Sequence, residues 1–356
     1  MRCPHAPITP CQEATAGLGS VTTPFDNDSH FRHDLGMALP PHRLPRLAAA
    51  WVAGLTALAL VGGCSSGASG SAGTGPSGSG STGSDAAAGQ IAVVAGFYPL
   101  AYAVQRVGGA HVSVTNLTKP GAEPHDAEPT TADVGAVKKA RVLVTLGGFQ
   151  PSVDALVAQA TSEQRVLDAA TITGALGNIH SSAGVDLHFW LDPTNYAAFV
   201  EAVGTTLASV DPANAATYRS NVAAFVADLV ALDTAYATGL KTCTSRTMVT
   251  GHQAFGYLAA RYGLTQVGIA GVNPEQEPSA KDLAAVAETV RSAGVHTIYT
   301  ETLVEPKFAQ TVASSTGATL AVLDPVEGIT DASPGKDYLE VMRANLAALR
   351  KGQECS

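Results

Sequence analysis

The chain has 356 residues, 46% of them hydrophobic and 14% charged, with a formal net charge of −9. That length points to about two domains with an ample apolar core. The acidic balance excludes a nucleic-acid surface, which needs clustered basic side chains to neutralise phosphates; five cysteines with no Cys-x-x-Cys pair exclude a disulfide-built scaffold and a zinc ribbon.

In chain order, residues 1–36 carry no leader logic, and Met37 is the natural start of the first readable segment. Arg43 and Arg46 precede an apolar stretch, 47–61, that ends in Val61-Gly62-Gly63-Cys64. The stretch is short for a membrane span and has the charged flank and small residues of a secretory signal. A cysteine directly after two small residues resembles a bacterial lipobox, in which Cys64 becomes the lipidated first residue after cleavage; the alternative is a plain signal peptide with an incidental cysteine. Residues 65–89 are nearly all Ser, Gly, Ala and Thr. They bury too little apolar surface to order themselves, and as flexible coil they reach roughly 25–30 Å. Segment 64–89 therefore reads as a tether.

From Gln90 onward strands and helices alternate. Residues 91–95, 112–114 and 142–144 read as strands, with helices after Pro99 and over 130–140. A helical texture then runs over 195–241, broken near Asp211-Pro212. Its second part, 213–240, would be about 40 Å long, enough for a rigid strut, and Arg219, Asp228 and Asp233 argue against a membrane span. Strands follow at 247–250, 265–269, 297–300 and 319–323, with helices from Gln253, Ser279, Pro306 and Gly335. The pattern predicts an α/β fold of two parallel-sheet lobes with flanking helices, 90–212 and 241–356, joined by one long helix. Ligands of such sheets sit beyond the carboxyl ends of the strands, here the cleft between lobes.

Six histidines follow Cys64: His111, His125, His180, His188, His252 and His296. His125 stands in a proline-rich loop, Pro124-His125-Asp126. His188 opens His188-Phe189-Trp190-Leu191-Asp192-Pro193, where Asp192 is a candidate acceptor behind the ring. His252 follows the strand Val249-Thr250-Gly251. Neutral imidazole is a common zinc ligand, and a histidine at each of three strand–helix junctions suits a metal site in the cleft. Taken singly, each is more often a surface or satisfied histidine. His111 and His296 lie beside strands and read as structural; His180 reads as solvent-exposed.

The motifs Pro124-His125-Asp126, His188-Phe189-Trp190-Leu191-Asp192-Pro193, Gly251-His252-Gln253-Ala254-Phe255 and Glu275-Gln276-Glu277-Pro278-Ser279 occur in order. Together with the lipobox they resemble the metal-binding receptors of bacterial ABC importers, in the zinc (ZnuA-like) branch, over about 90–351. The resemblance implies two ligands from each lobe, with His125, His188 and His252 matching the first three. The fourth is a carboxylate in the late loop Leu323-Asp324-Pro325-Val326-Glu327, where Glu327 matches the family position and Asp324 is the alternative. Glu301 at a strand end is a candidate hydrogen-bond acceptor behind a ligand. The long His-rich loop of many zinc receptors is missing; only His180 stands in that interval. The resemblance further implies a monomer that delivers Zn²⁺ to an ABC transporter permease from outside the cell membrane.

Three imidazoles and one carboxylate favour Zn²⁺ over the manganese or iron of sibling receptors, whose sites are harder. A zinc metallohydrolase is the rival from another class; it needs an open coordination position and a base beside it, and only His125-x-x-Glu128 offers that pair. An adhesin is a third reading, one that gives no reason for the three histidines. Cys243 and Cys355 lie in the exported part, where an oxidising compartment favours a disulfide.

Overall fold

The computed structural model describes residues 89–176, 179–181 and 184–356. Cys64, the signal stretch and the tether to residue 88 lie outside the described residues, as does the side chain of His180.

The first lobe runs β1 (Ile91–Ala95), α1 (Tyr98–Gly108), β2 (Val112–Asn116), α2 (Thr131–Lys139), β3 (Val142–Thr145), α3 (Pro151–Val157), β4 (Arg165–Asp168) and α4 (Ala169–Leu176). Its strands pair in parallel in the order β2-β1-β3-β4. All four residues of β3 are buried, as expected of a central strand covered on both faces. A capping box between Thr130 and Asp133 starts α2, and Lys138 and Lys139 meet the negative end of its dipole. An antiparallel hairpin, β5 (Ile179–Ser181) and β6 (Gly184–Asp186), then leads to the 3-10 turn Phe189–Leu191.

Two helices follow, α5 (Pro193–Val210) and α6 (Ala215–Gly239). Asp192 caps α5 by accepting from the Thr194 N–H, with Pro193 preset for the first turn. Its carboxylate is thus spent on the cap and, at 3.3 Å, on Arg261. By length and composition α6 could cross a membrane. Instead Tyr218, Phe225, Leu229, Leu232 and Tyr236 form a buried stripe against neighbouring helices. Asp228 pairs with Arg106 of α1, and Asp233 with Arg261.

The second lobe runs β7 (Thr247–Thr250), α7 (Gly256–Tyr262), β8 (Thr265–Gly268), α8 (Ala280–Ser292), β9 (Thr297–Thr300), α9 (Lys307–Thr316), β10 (Thr319–Val322) and α10 (Tyr338–Gly352). Its sheet is again parallel, in the order β10-β9-β7-β8. Arg261 belongs to α7, so the Asp192 contact ties the start of α5 to this lobe. A disulfide joins Cys243, just after α6, to Cys355 at the chain end.

One continuous core includes Phe97 and Val144 of the first lobe, Tyr196 and Phe225 of the long helices, and Met248 and Tyr338 of the second lobe. A core shared in this way resists wide hinge opening, because close-packed side chains do not slide freely.

The elements between β3 and Asp192 are not legible as periodic runs. β4 is an edge strand with Arg165 and Val166 exposed, so it lacks the apolar run of a central strand. Two helices start later than their patterns suggest. Gln253 gives its N–H to Gly271, which holds the segment before α7 in a loop. The cap of α10 is Asp337, whose side chain accepts from the Glu340 N–H.

Candidate metal centre

Four loops bring four side chains together. His125 lies between β2 and α2, His188 follows β6, His252 follows β7, and Glu327 lies between β10 and α10. One ligand atom from each falls within 4.8 Å of all the others. Glu327 Oε1 is the point of convergence, 2.9 Å from His188 Nε2 and 3.6 Å from the Nε2 atoms of both His125 and His252. The Nε2 atoms of His188 and His252 are 3.4 Å apart. All four residues are buried.

Each histidine is held from behind, in different degrees. The His188 N–H and ring Nδ1–H both donate to Asp186 Oδ1, at 2.9 and 2.8 Å. His252 donates its N–H to Glu301 Oε1 at 2.9 Å and its Nδ1–H to Glu301 Oε2 at 2.7 Å. His125 donates only its backbone N–H, to Glu123 Oε1 at 3.1 Å. Its ring packs on Phe149 with centroids 4.1 Å apart. For His188 and His252 these acceptors hold a proton on Nδ1, so that loss of the Nε2 proton, which faces Glu327 in the metal-free cluster, leaves an Nε2 lone pair aimed at the same point.

The loop that carries Glu327 is clamped. Asn345 of α10 accepts from the Asp324 N–H at 2.9 Å and donates to the Asp324 carbonyl at 2.6 Å. Asp324 Oδ2 accepts from Thr302, and Oδ1 accepts from the Val326 N–H. Val326 is buried with φ of 59°, a conformation that costs a β-branched residue energy and needs a rigid surround. That turn directs the next side chain, Glu327, into the cleft. Asp324 is thus occupied in holding the loop and stands outside the four-residue group.

Charge explains why the cluster coheres. Burial disfavours charge on His188, but hydrogen bonds to Asp186 and Glu327 outweigh it and hold the imidazole above its ordinary range. Burial likewise opposes charge on His252, and Glu301 and Glu327 lift it well above that range. For Glu327, burial is overridden by the three histidines, so its carboxyl stays well below the usual range. Burial lowers His125. Burial and then the Glu327 charge push Glu123 up to about 8. His125 Nε2 and Glu327 Oε2 are buried without hydrogen-bond partners, and such atoms are costly unless something takes their lone pairs. A cation at the convergence point would do so. A cavity of about 180 Å³, lined by His125, Asp126, Phe149, His188, Val272 and Asn273, reaches the cluster from outside.

The site residues expected from sequence are therefore distributed unevenly. His125, His188, His252 and Glu327 meet, and Glu301 backs His252. Asp192 does not back His188; Asp186 does, because Asp192 caps α5. The local signal for the missed residues is an acid two positions before a histidine, in Glu123-Pro124-His125 and Asp186-Leu187-His188. His111 stacks edge-on against Tyr218, and His296 pairs with Glu354 at the surface; both are away from the group.

Comparison with known proteins agrees on one family. The family model described as ZnuA, zinc-uptake complex component A, periplasmic, matches residues 93–352. The zinc-binding lipoprotein AdcA of Streptococcus pneumoniae is 33% identical over 282 residues, 74% of this chain and 56% of that protein. This chain thus spans little more than half the length of that relative. The high-affinity zinc uptake system protein ZnuA of Bacillus subtilis is 30% identical over 285 residues, covering 75% of this chain and 88% of that protein. The solved structure of the laminin-binding protein Lmb of Streptococcus agalactiae, titled a bifunctional protein with adhesin and metal transporting activity, matches with a TM-score of 0.67 at 32% identity. It covers 74% of this chain and 99% of that one. On the family match and the relatives together, the chain belongs to the ZnuA family of zinc-uptake components.

Proposed function

We propose that this protein captures one Zn²⁺ ion between its lobes, with His125, His188, His252 and Glu327 as ligands, and delivers it to an ABC transporter permease. The ion is cargo, not a resident cofactor. The observation that carries this reading is the convergence of four buried ligand atoms, from loops of both lobes, within 4.8 Å.

Three imidazole nitrogens and one carboxylate oxygen make a four-coordinate, borderline-soft set that suits Zn²⁺ better than the oxygen-rich shells preferred by manganese. Four protein ligands complete a tetrahedron and leave no position for a catalytic water. Glu128, the base that the sequence pairs with His125, is exposed and turned towards Ser152, 3.5 Å away. These points support a receptor over a metallohydrolase.

Segments 90–212 and 241–356 act as the two lobes, with 213–240 as the strut between them, and the protein works as a monomer. Cys64 carries the lipid, and 64–89 tethers the receptor outside the cell membrane. The Cys243–Cys355 disulfide fits such an oxidising location. Release follows from modest rearrangement of the ligand loops, since a shared core opposes wide lobe opening. The laminin-binding relative combines two activities, so an adhesive face is compatible with this fold, but the metal site is what this chain's own residues support.

The test is calorimetric titration of the metal-free protein with Zn²⁺, together with anomalous scattering from a zinc-soaked crystal across the zinc edge. One ion bound to the four named residues is expected. Unchanged affinity and stoichiometry in a His188→Ala, His252→Ala double variant would sink the assignment.

A further inference from the structure

Two carboxylates stand behind the ligands in matching ways. Asp186 takes both the backbone N–H and the Nδ1–H of His188; Glu301 takes the same pair of donors from His252. Both carboxylates are withdrawn from solvent. Each is also packed against a glycine. A Cβ on Gly256 would collide with Asp186 Oδ2, and a Cβ on Gly251 with Glu301 Oε1. Neither glycine has the positive φ that would itself demand glycine, so the space, not the backbone, is what glycine supplies there. Asp186 belongs to the first lobe and Gly256 to α7 of the second, so this contact spans the cleft.

We propose that Asp186 and Glu301 are positioning residues that fix the tautomer and ring rotation of His188 and His252, and that Gly256 and Gly251 reserve the room these carboxylates need. The inference rests on the metal-capture reading and deepens it. A proton held on Nδ1 leaves Nε2 free to bind metal, and two acceptors on one side of each residue stop the ring from turning away. His125 lacks this second contact: Glu123 holds its backbone but not its ring. The site is therefore a rigid trio, His188, His252 and Glu327, completed by a looser His125 beside the access cavity.

The test compares Zn²⁺ titration of the full chain with that of Asp186→Ala, Asp186→Asn, Glu301→Gln and Gly256→Ala, alongside the metal-free melting temperature and the Co²⁺ ligand-field spectrum of each. Affinity is expected to fall about 10–100-fold in Asp186→Ala and Glu301→Gln. Asp186→Asn should lose less, because both His188 donors go to a single oxygen that the amide retains, whereas His252 uses both oxygens of Glu301 and Glu301→Gln keeps only one. Gly256→Ala is the decisive variant. Alanine favours a helix over glycine, so a purely structural role for Gly256 predicts equal or higher thermal stability with unchanged affinity. The positioning role predicts weakened Zn²⁺ binding and a changed Co²⁺ spectrum without loss of melting temperature. Affinities within twofold of the parent in both Gly256→Ala and Glu301→Gln overturn the inference, even if Asp186→Ala fails to fold. A parent chain that binds no Zn²⁺ overturns the function reading itself.

Discussion

The indole Nε1–H of Trp190 donates to the carbonyl of Pro325 over 2.8 Å, joining the loop that carries His188 to the loop that carries Glu327. Tyr338 closes the arrangement by donating to the Trp190 carbonyl at 2.6 Å. The Trp190 and His188 rings lie 5.2 Å apart. Two candidate ligands separated by 139 positions are thus linked through one aromatic side chain.

That placement makes Trp190 a built-in reporter. It is the only tryptophan after Cys64, so the intrinsic tryptophan fluorescence of a chain begun at Cys64 should change on Zn²⁺ titration and saturate at one equivalent. Trp190→Phe should abolish the signal and leave the Pro325 carbonyl buried without its donor, which costs about 1–3 kcal/mol. Denaturant unfolding of the metal-free variant measures that loss; no loss would mean that the bond is dispensable.

The charged cluster sets a pH dependence with two opposite limbs. His188 and His252 are raised above the ordinary imidazole value of 6.5, so their contribution to metal-free stability is full below that value and is lost as pH rises through their folded values. Glu327 is lowered below the ordinary 4.5, so its contribution is present above 4.5 and is lost as pH falls through its folded value. Metal-free thermal stability should therefore be greatest between these ordinary values and decline towards alkaline pH. Zn²⁺ needs the Nε2 protons removed, so the metal-induced rise in melting temperature should grow over the same alkaline limb. Calorimetry in buffers of different ionisation enthalpy should register proton release on binding.

Glu327 and Asp324 should separate cleanly. Glu327→Gln removes the anion at the convergence point and should weaken Zn²⁺ binding by about 10–100-fold, roughly the worth of a charged hydrogen-bonding partner. Asp324→Asn keeps one oxygen for the Val326 N–H or for Thr302, so it should cost stability while preserving one bound ion and most of the affinity. The reverse ranking in a Zn²⁺ titration would make Asp324 the ligand.

The disulfide should matter for stability and not for binding. Cys243 and Cys355 are 112 positions apart, and closing a loop of that size stabilises by about 4–5 kcal/mol in the chain-entropy account. The bridge lies near the start of β7, whereas His252 follows its end. A double Cys→Ser variant should melt about 10 °C lower with Zn²⁺ affinity unchanged. A matching drop in affinity would show that the two regions are coupled.

Legibility from sequence followed the range of the physics involved. The central strand β3 was visible because buried parallel strands read as continuous apolar runs, as in Val142-Leu143-Val144. The three histidines were visible because each stands in a polar or proline-rich motif at a strand end. Edge strand β4 and the β5–β6 hairpin were not, since a strand half open to water need not be apolar. Asp186 and Asp192 flank the same histidine, and choosing between them required knowing that Asp192 was committed to the cap of α5.

By itself the sequence determined the α/β alternation and the long connecting helix, because periodicity and local caps are short-range properties, and its ordered motifs, through their resemblance to a family, named the candidate ligands. Tertiary structure alone decided how those residues become one site. It aims Glu327 through the left-handed turn at Val326 and the clamp of Asn345, stitches Trp190 to Pro325, and seats Asp186 against Gly256 across the cleft. Each of these contacts joins segments far apart in the chain or depends on such a clamp. Long-range convergence of this kind comes from packing against a common core, which no local pattern of residues encodes.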